Sequence, residues 1–469
     1  MYLPINVRRL SATVASSVLL VTGCGGAGGG ASATYSIGGT ITGLTAAGLV
    51  LANGSDMVMP AAEATSFVFA TALAGGSSYA VTVKTQPIAE LCQVTNGSGQ
   101  VGSAAVTDVM VTCTRNWTWV SGANTVNVKG VYGTQGTAAA ANVPGGRASP
   151  VSWIDSAGDL WLFGGYVHDP VAGYNEYFND LWRYSPLSGQ WTWMSGSNTS
   201  NAIGVYGTQG TAATGNVPGA RSGSLSWVDS AGNLWLFGGV GNDWLNDLWR
   251  YSPGAGQWTW VSGSNTGNAK GTYGTQGTAA VGNMPGARVA SVSWIDSAGD
   301  LWLFGGSGWD SAGNGDLNDL WRYSPPSGQW TWISGSNMVN AMGVYGAQGT
   351  SAAGNVPGAR DNSVSWIDSA GDLWLFGGSG YDSAGNLGQL NDLWRYSPAS
   401  GQWTWVSGSN TVNAKATYGT QGTAAAGNVP GARDGSVSWI DSAGNLWLFG
   451  GWGYDSAGNL ADLNDLWVY

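Results

Sequence analysis

Trp117-Thr118-Trp119-Val120 decides how this chain is read. The same Trp-Thr-Trp element returns at Trp191, Trp258, Trp330 and Trp403, each time as the last element of a repeat. The first copy stands ahead of any complete repeat. The final repeat runs to Leu466-Trp467-Val468-Tyr469, where the next copy falls due. The arrangement predicts a ring in which the early strand, residues 117–120, fills a vacancy in the last repeat.

Working outward, residues 116–469 read as five copies of one unit. The Gly-Gly doublets at Gly164-Gly165, Gly238-Gly239, Gly305-Gly306, Gly377-Gly378 and Gly450-Gly451 are spaced by 74, 67, 72 and 73 residues. Each unit carries strand-like runs. In the second they are Ser224–Val228, Leu234–Phe237, Asp247–Tyr251 and Gln257–Val261. Asp229-Ser230-Ala231-Gly232 joins the first two with residues that tolerate unusual dihedrals, as a tight hairpin needs. Four antiparallel strands per unit predict an all-β, five-bladed β-propeller.

The doublet after an apolar strand, the later Trp and the terminal Trp pair together resemble the kelch repeat, over residues 117–469. The resemblance implies a kelch-like propeller of the superfamily that includes galactose oxidase. These units are longer than the roughly 50 residues usual for kelch. The excess lies in the connection from each fourth strand to the next first strand. Galactose oxidase chemistry needs copper on two His and a Tyr–Cys crosslink. The chain has one His, His168, and no Cys in this region. Sialic-acid mutarotases are similar in fold and need only acid–base groups and Arg. Glu176 and His168, in the loop after the first doublet, are the residues such an enzyme could use.

The rest of the chain is different. Of 469 residues only 9% are charged and 78 are Gly, a profile of short strands and turns. The formal net charge of −11, with no basic cluster beyond the first residues, argues against nucleic acid as a partner. Arg8 and Arg9 followed by the apolar run from Leu10 to Val21 read as an export signal. Val21-Thr22-Gly23-Cys24 resembles a lipobox, which implies cleavage before Cys24 and lipidation of its sulfur. Gly25 rather than Asp after that Cys points to the outer membrane or cell surface, with a lipid as the only membrane attachment. Residues 25–33 read as a Gly-rich linker. Residues 34–115 contain no Trp and read as a small β-sandwich, loosely similar to Ig-like modules of bacterial surface proteins. Its two Cys, Cys92 and Cys113, are expected to form a disulfide, in keeping with export. No cofactor and no metal is implied.

Of 28 Trp, 25 fall at five fixed positions per repeat, with Trp117 and Trp119 credited to the last, and read as packing residues. The other three, Trp244, Trp309 and Trp452, follow doublets in the variable loop between second and third strands, where Tyr166 and Tyr381 serve the remaining repeats. These five aromatics either cover blade edges or line a face that binds a glycan or protein ligand. In a meander that loop and the long connection emerge at the same end. Arg147, Arg221, Arg288, Arg360 and Arg433 end the long connections, and Asp180, Asp247, Asp319, Asp392 and Asp465 begin the third strands. They read as structural ion pairs, the other reading being an anion-attracting Arg ring. Asp310, Asp382 and Asp455 read as self-satisfied turns, not a Ca²⁺ loop. Three functions follow: a non-catalytic binding module, a mutarotase-like enzyme, or a structural assembly protein.

Overall fold

The computed structural model describes residues 33–169 and 173–469. Cys24 and the leader lie outside the described residues. The chain is all β and divides into two compact units, with the boundary near Ser121 and Gly122.

In the N-terminal unit, one four-stranded sheet takes Ser66–Val68, Ile37–Thr42, Val106–Arg115 and Glu90–Thr95 in that order. A second takes Asp56–Val58, Val50–Asn53, Ser78–Thr85 and Ser98–Gln100. Alternation along the strands sends Ile37, Ile41, Phe67, Val109 and Val111 of the first sheet into one core with Leu51, Tyr79 and Val81 of the second. Cys92 and Cys113 are directly opposed across two paired strands and form a disulfide. Glu90 is buried beside them. One carboxylate oxygen accepts from the Thr45 and Ala46 amides and from the Thr45 hydroxyl.

In the second unit, the first four repeats each fold as an antiparallel meander. The second repeat runs Leu225–Val228, Leu234–Val240, Trp244–Ser252 and Gln257–Ser262. Its first hairpin is held by Asp229, whose carboxylate accepts from the Ala231 and Asn233 amides and from Trp235 Nε1 at 2.8–3.0 Å. The same bond, donated by the indole N–H, recurs from Trp161, Trp302, Trp374 and Trp447 to Asp155, Asp296, Asp368 and Asp441. The Gly doublet is a bulge: register shifts between Phe237 and Gly239, and Gly238 and Gly239 have φ of 64° and 98°. A Cβ on Gly305 would lie 2.8 Å from the Arg360 carbonyl of the next repeat, so the doublet also lets neighbouring backbones approach.

Repeat packs on repeat through one recurring contact set. Trp161, Trp235, Trp302 and Trp374 pack on Tyr251, Tyr323, Tyr396 and Tyr469 of the following repeat, with centroids 5.6–5.9 Å apart. Phe163, Phe237 and Phe304 meet Trp258, Trp330 and Trp403 at 5.4–5.5 Å. Four core clusters result, one for each junction between successive repeats.

Among the described residues the repeats themselves form no closed ring. The last repeat has the short strand Arg433–Asp434 and three longer ones, Val437–Ile440, Leu446–Tyr454 and Leu460–Val468. Among the described residues no strand pairs the free edge of Leu460–Val468. Trp117 is fully exposed and residues 116–120 join no strand. In the N-terminal unit, Asn116 donates to the Ala89 carbonyl and the Ala89 amide donates to the Thr118 hydroxyl. Among the described residues no core cluster joins the fifth repeat to the first.

Candidate functional site

The five Arg–Asp sets are structural pairs, as expected. Arg221 meets Asp247 through two bonds of 2.5 and 2.7 Å, and its remaining donors reach the carbonyls of Gly219 and Gly238. Tyr206, from the long connection, and Trp249 donate to the same carboxylate at 2.7 Å. Burial alone would push Asp247 up; the Arg221 charge and these hydrogen bonds outweigh it and hold the carboxyl below its ordinary range. Tyr206 is pushed up by burial and by the Asp247 charge. All five sets repeat this geometry. With every guanidinium engaged, they do not form an open Arg ring.

The node anchors the end of the sheet at which the variable hairpins and long connections meet. In the third repeat the connection runs beside the second strand, with Arg288 opposite Gly308 and Val289 opposite Ser307. Asp310 is buried at the hairpin tip. It accepts from the Ala312 and Gly313 amides and, across to the connection, from the Val339 amide. Asp382 does the same with Ala384, Asn386 and Val412. These carboxylates are satisfied by their own loops.

The proposed aromatics fall into two groups. Trp309 and Tyr381 end their second strands, opposite Asn314 and Leu387. The residue at that position in the fifth repeat is Tyr454, opposite Leu460, and not Trp452. Counting three residues from the second glycine of each doublet would have found it.

Tyr166, Trp244 and Trp452 belong instead to the rung just after the doublet. Side chains opposed across a ladder share a face. In the first repeat this rung is Ala148, Tyr166 and Tyr177, and in the second Ser222, Val240 and Trp244. In the third it is Val289, Ser307 and Asp316, and in the fourth Asp361, Ser379 and Gln389. In the fifth it is Asp434, Trp452 and Asp462. Rungs of successive repeats adjoin. Gln389 donates to Asp434 across the fourth and fifth repeats. Burial, together with the nearby charges of Asp316 and Asp434, pushes Asp361 up to about 6. The rungs carry aromatics in the first two repeats and carboxylates, an amide and Trp452 in the last three, which adjoin. The carboxylates were missed because nothing in the sequence marks residues so far apart as one rung.

Glu176 and His168 sit in the hairpin of the first repeat. Glu176 is opposite Val167, and His168 is opposite Asn175, with ring Nδ1 3.1 Å from the Asn175 side-chain oxygen. The two therefore lie on opposite faces of the ladder. Among the described residues, the acid and thiol cluster with metal-ligand spacing is Glu90, Cys92 and Cys113, and its thiols are consumed by the disulfide.

No family model matches the chain, and no curated protein matches it. Among solved structures, one described as "Structure of YjhT" is similar at 14% identity with a TM-score of 0.41. The match covers 70% of this chain and 82% of that one. The chain is all β, with repeated antiparallel four-stranded sheets and one disulfide among the described residues.

Proposed function

We propose that this is an exported, lipid-anchored bacterial envelope protein at the outer membrane or cell surface, in which a small Ig-like β-sandwich carries a five-bladed kelch-like propeller array. Its role is non-catalytic recognition of a carbohydrate or protein ligand at the loop-bearing end of the repeats. The observation behind this reading is the mixed rung: aromatic rings at Tyr166, Tyr177, Trp244 and Trp452 beside hydrogen-bonding groups at Asp316, Asp361, Gln389 and Asp434. Flat apolar rings and convergent acceptors are what sugar recognition uses. The N-terminal sandwich serves as a spacer.

A glycan-array screen tests this, run beside a variant carrying Tyr166→Ala, Trp244→Ala and Trp452→Ala. Binding by the native protein that drops at least tenfold in the variant supports a sugar-reading face. Binding unaffected by the three changes moves the site elsewhere. No glycan bound by either protein removes the carbohydrate reading and leaves a protein ligand.

A further inference from the structure

One strand of the N-terminal unit turns an acid and a thiol to the same side. Side chains alternate along Glu90–Thr95, so Glu90 and Cys92 face the core while Leu91 between them is exposed. The paired strand Val106–Arg115 brings Cys113 directly opposite Cys92. The Glu90 carboxylate and the two sulfurs consequently lie within 4.8 Å of one another. Glu90, Cys92 and Cys113 are only 5%, 2% and 5% exposed.

Glu90 is firmly held but half used. One carboxylate oxygen accepts from the Thr45 amide at 2.8 Å, from the Ala46 amide at 3.1 Å and from the Thr45 hydroxyl. Burial alone would raise the carboxyl; these bonds, with the Arg115 charge, outweigh it and keep it below its ordinary range. The other oxygen is sealed from solvent and has no hydrogen-bond partner among the described residues. A buried acceptor left unmade is costly. While the disulfide stands, neither sulfur carries a hydrogen to donate to it. Cys92 is positioned from the other side by Gln86, which donates to its carbonyl at 2.9 Å and accepts from its amide at 2.7 Å.

We infer that Glu90, Cys92 and Cys113 form a Zn²⁺ site when the disulfide is reduced. Sequence spacing offered only the two thiols; the fold adds the carboxylate. Two thiolates and a carboxylate suit Zn²⁺ rather than Ca²⁺ or Mg²⁺. With bonds of about 2.3 Å to sulfur and about 2.0–2.2 Å to oxygen, the ligand atoms of a tetrahedral Zn²⁺ stand roughly 3.3–3.8 Å apart. Side-chain rotation of the released cysteines reaches that spacing, and the fourth position is left to water. In the enabling step a dithiol supplies two electrons and two protons. The Cys92–Cys113 bond breaks, two thiols form, and the dithiol closes its own disulfide. Each cysteine thiol then gives its proton to solvent as Zn²⁺ binds. The two sulfurs are thus bonded either to each other or to the metal, and one cross-link of the unit replaces the other.

The test uses the full-length chain with Cys24→Ser, which removes the third thiol. The protein is reduced with a dithiol, freed of it without air, and titrated with Zn²⁺ and with Cd²⁺, whose bonds to sulfur give a charge-transfer band. The expected result is one ion per chain and a higher far-UV melting temperature for the reduced N-terminal unit, because the ion binds the folded form. The oxidised chain gives no band. Glu90→Gln should weaken binding by more than about tenfold, the least that even outer-shell partners of a bound metal cost. A reduced native chain that takes up no ion, or gains no thermal stability from it, overturns the proposal. Equal affinity in Glu90→Gln overturns it too, since two thiols of an unfolded segment would bind that way. The stability measurement is made on the native chain and holds even if the variant does not fold.

Discussion

Arg288→Met should be among the most costly single changes in the repeats, and its edge counterpart Arg433→Met much cheaper. The two arginines end the same Pro-Gly-Ala-Arg run and bind equivalent partners; what differs at the pair is the burial of the carboxylate. Arg288 and Asp319 are both sealed from solvent, and the carboxylate receives Arg288 twice at 2.7 Å, Tyr273 at 2.7 Å and Trp321 at 2.6 Å. Removing the guanidinium strands a buried carboxylate and also frees the carbonyls of Gly286 and Gly305. Breaking a buried pair from one side costs about 3–5 kcal/mol. Asp465, by contrast, lies on the free edge with its side chain 14% exposed, and Tyr418 beside it is exposed. Water can solvate the carboxylate there, which reduces the cost to about 1–2 kcal/mol. Repeat stability is largely local, so the assay should be local as well. Native-state hydrogen exchange, read at the strand amides of the altered repeat, gives the opening free energy of each variant. Equal losses for the two variants, or a loss below about 1 kcal/mol for Arg288→Met, would refute the claim that burial sets the strength of these nodes.

Asp361 should make stability depend on pH in the opposite sense to a salt-bridged carboxylate. Its folded value of about 6 lies above the ordinary unfolded one, so the folded state holds the extra proton between roughly pH 4 and 6. Stability is lost as pH rises through that window. Asp361→Asn should remove a loss of about 1–2 kcal/mol once solvent screening is allowed for; urea midpoints for the two proteins that run parallel from pH 4 to 7 would contradict this. Reduction of Cys92–Cys113, separated by 21 residues, should destabilise the N-terminal unit by about 3 kcal/mol while leaving the Trp-rich repeats unchanged. Far-UV and Trp-fluorescence melts of the oxidised and reduced protein separate the two effects, because residues 34–115 contain no Trp.

The repeat unit was legible because its signals are local. Asp-Ser-Ala-Gly turns, apolar runs and Gly doublets each act within a few residues, and five copies remove ambiguity. The Arg–Asp pairing was legible for a different reason: fivefold recurrence of both residues implied a shared geometry. The role of Tyr206 and its equivalents as a third partner emerged only with the distances to the carboxylates. The aromatic set was read less well. Trp452 and Trp309 look equivalent as loop residues, but strand alternation places them two positions apart on the ladder, and Tyr454 takes the place assigned to Trp452. The acidic part of the rungs was invisible because Asp316, Asp361 and Asp434 come from three repeats and two kinds of segment.

Closure shows most clearly where the limit lies. Hairpin chemistry and apolar periodicity depend on neighbours in the chain, so the residues alone settle strand, turn and repeat. Whether Trp117-Thr118-Trp119 adds to the last sheet depends on a competition between distant partners. Within the N-terminal unit Asn116 and Thr118 bond to Ala89, and among the described residues the strand Leu460–Val468 pairs only with Leu446–Tyr454. Identical repeats make every junction look equally satisfied on paper. Only the assembled fold shows which repeats bury their aromatics against each other, at the four junctions between successive repeats.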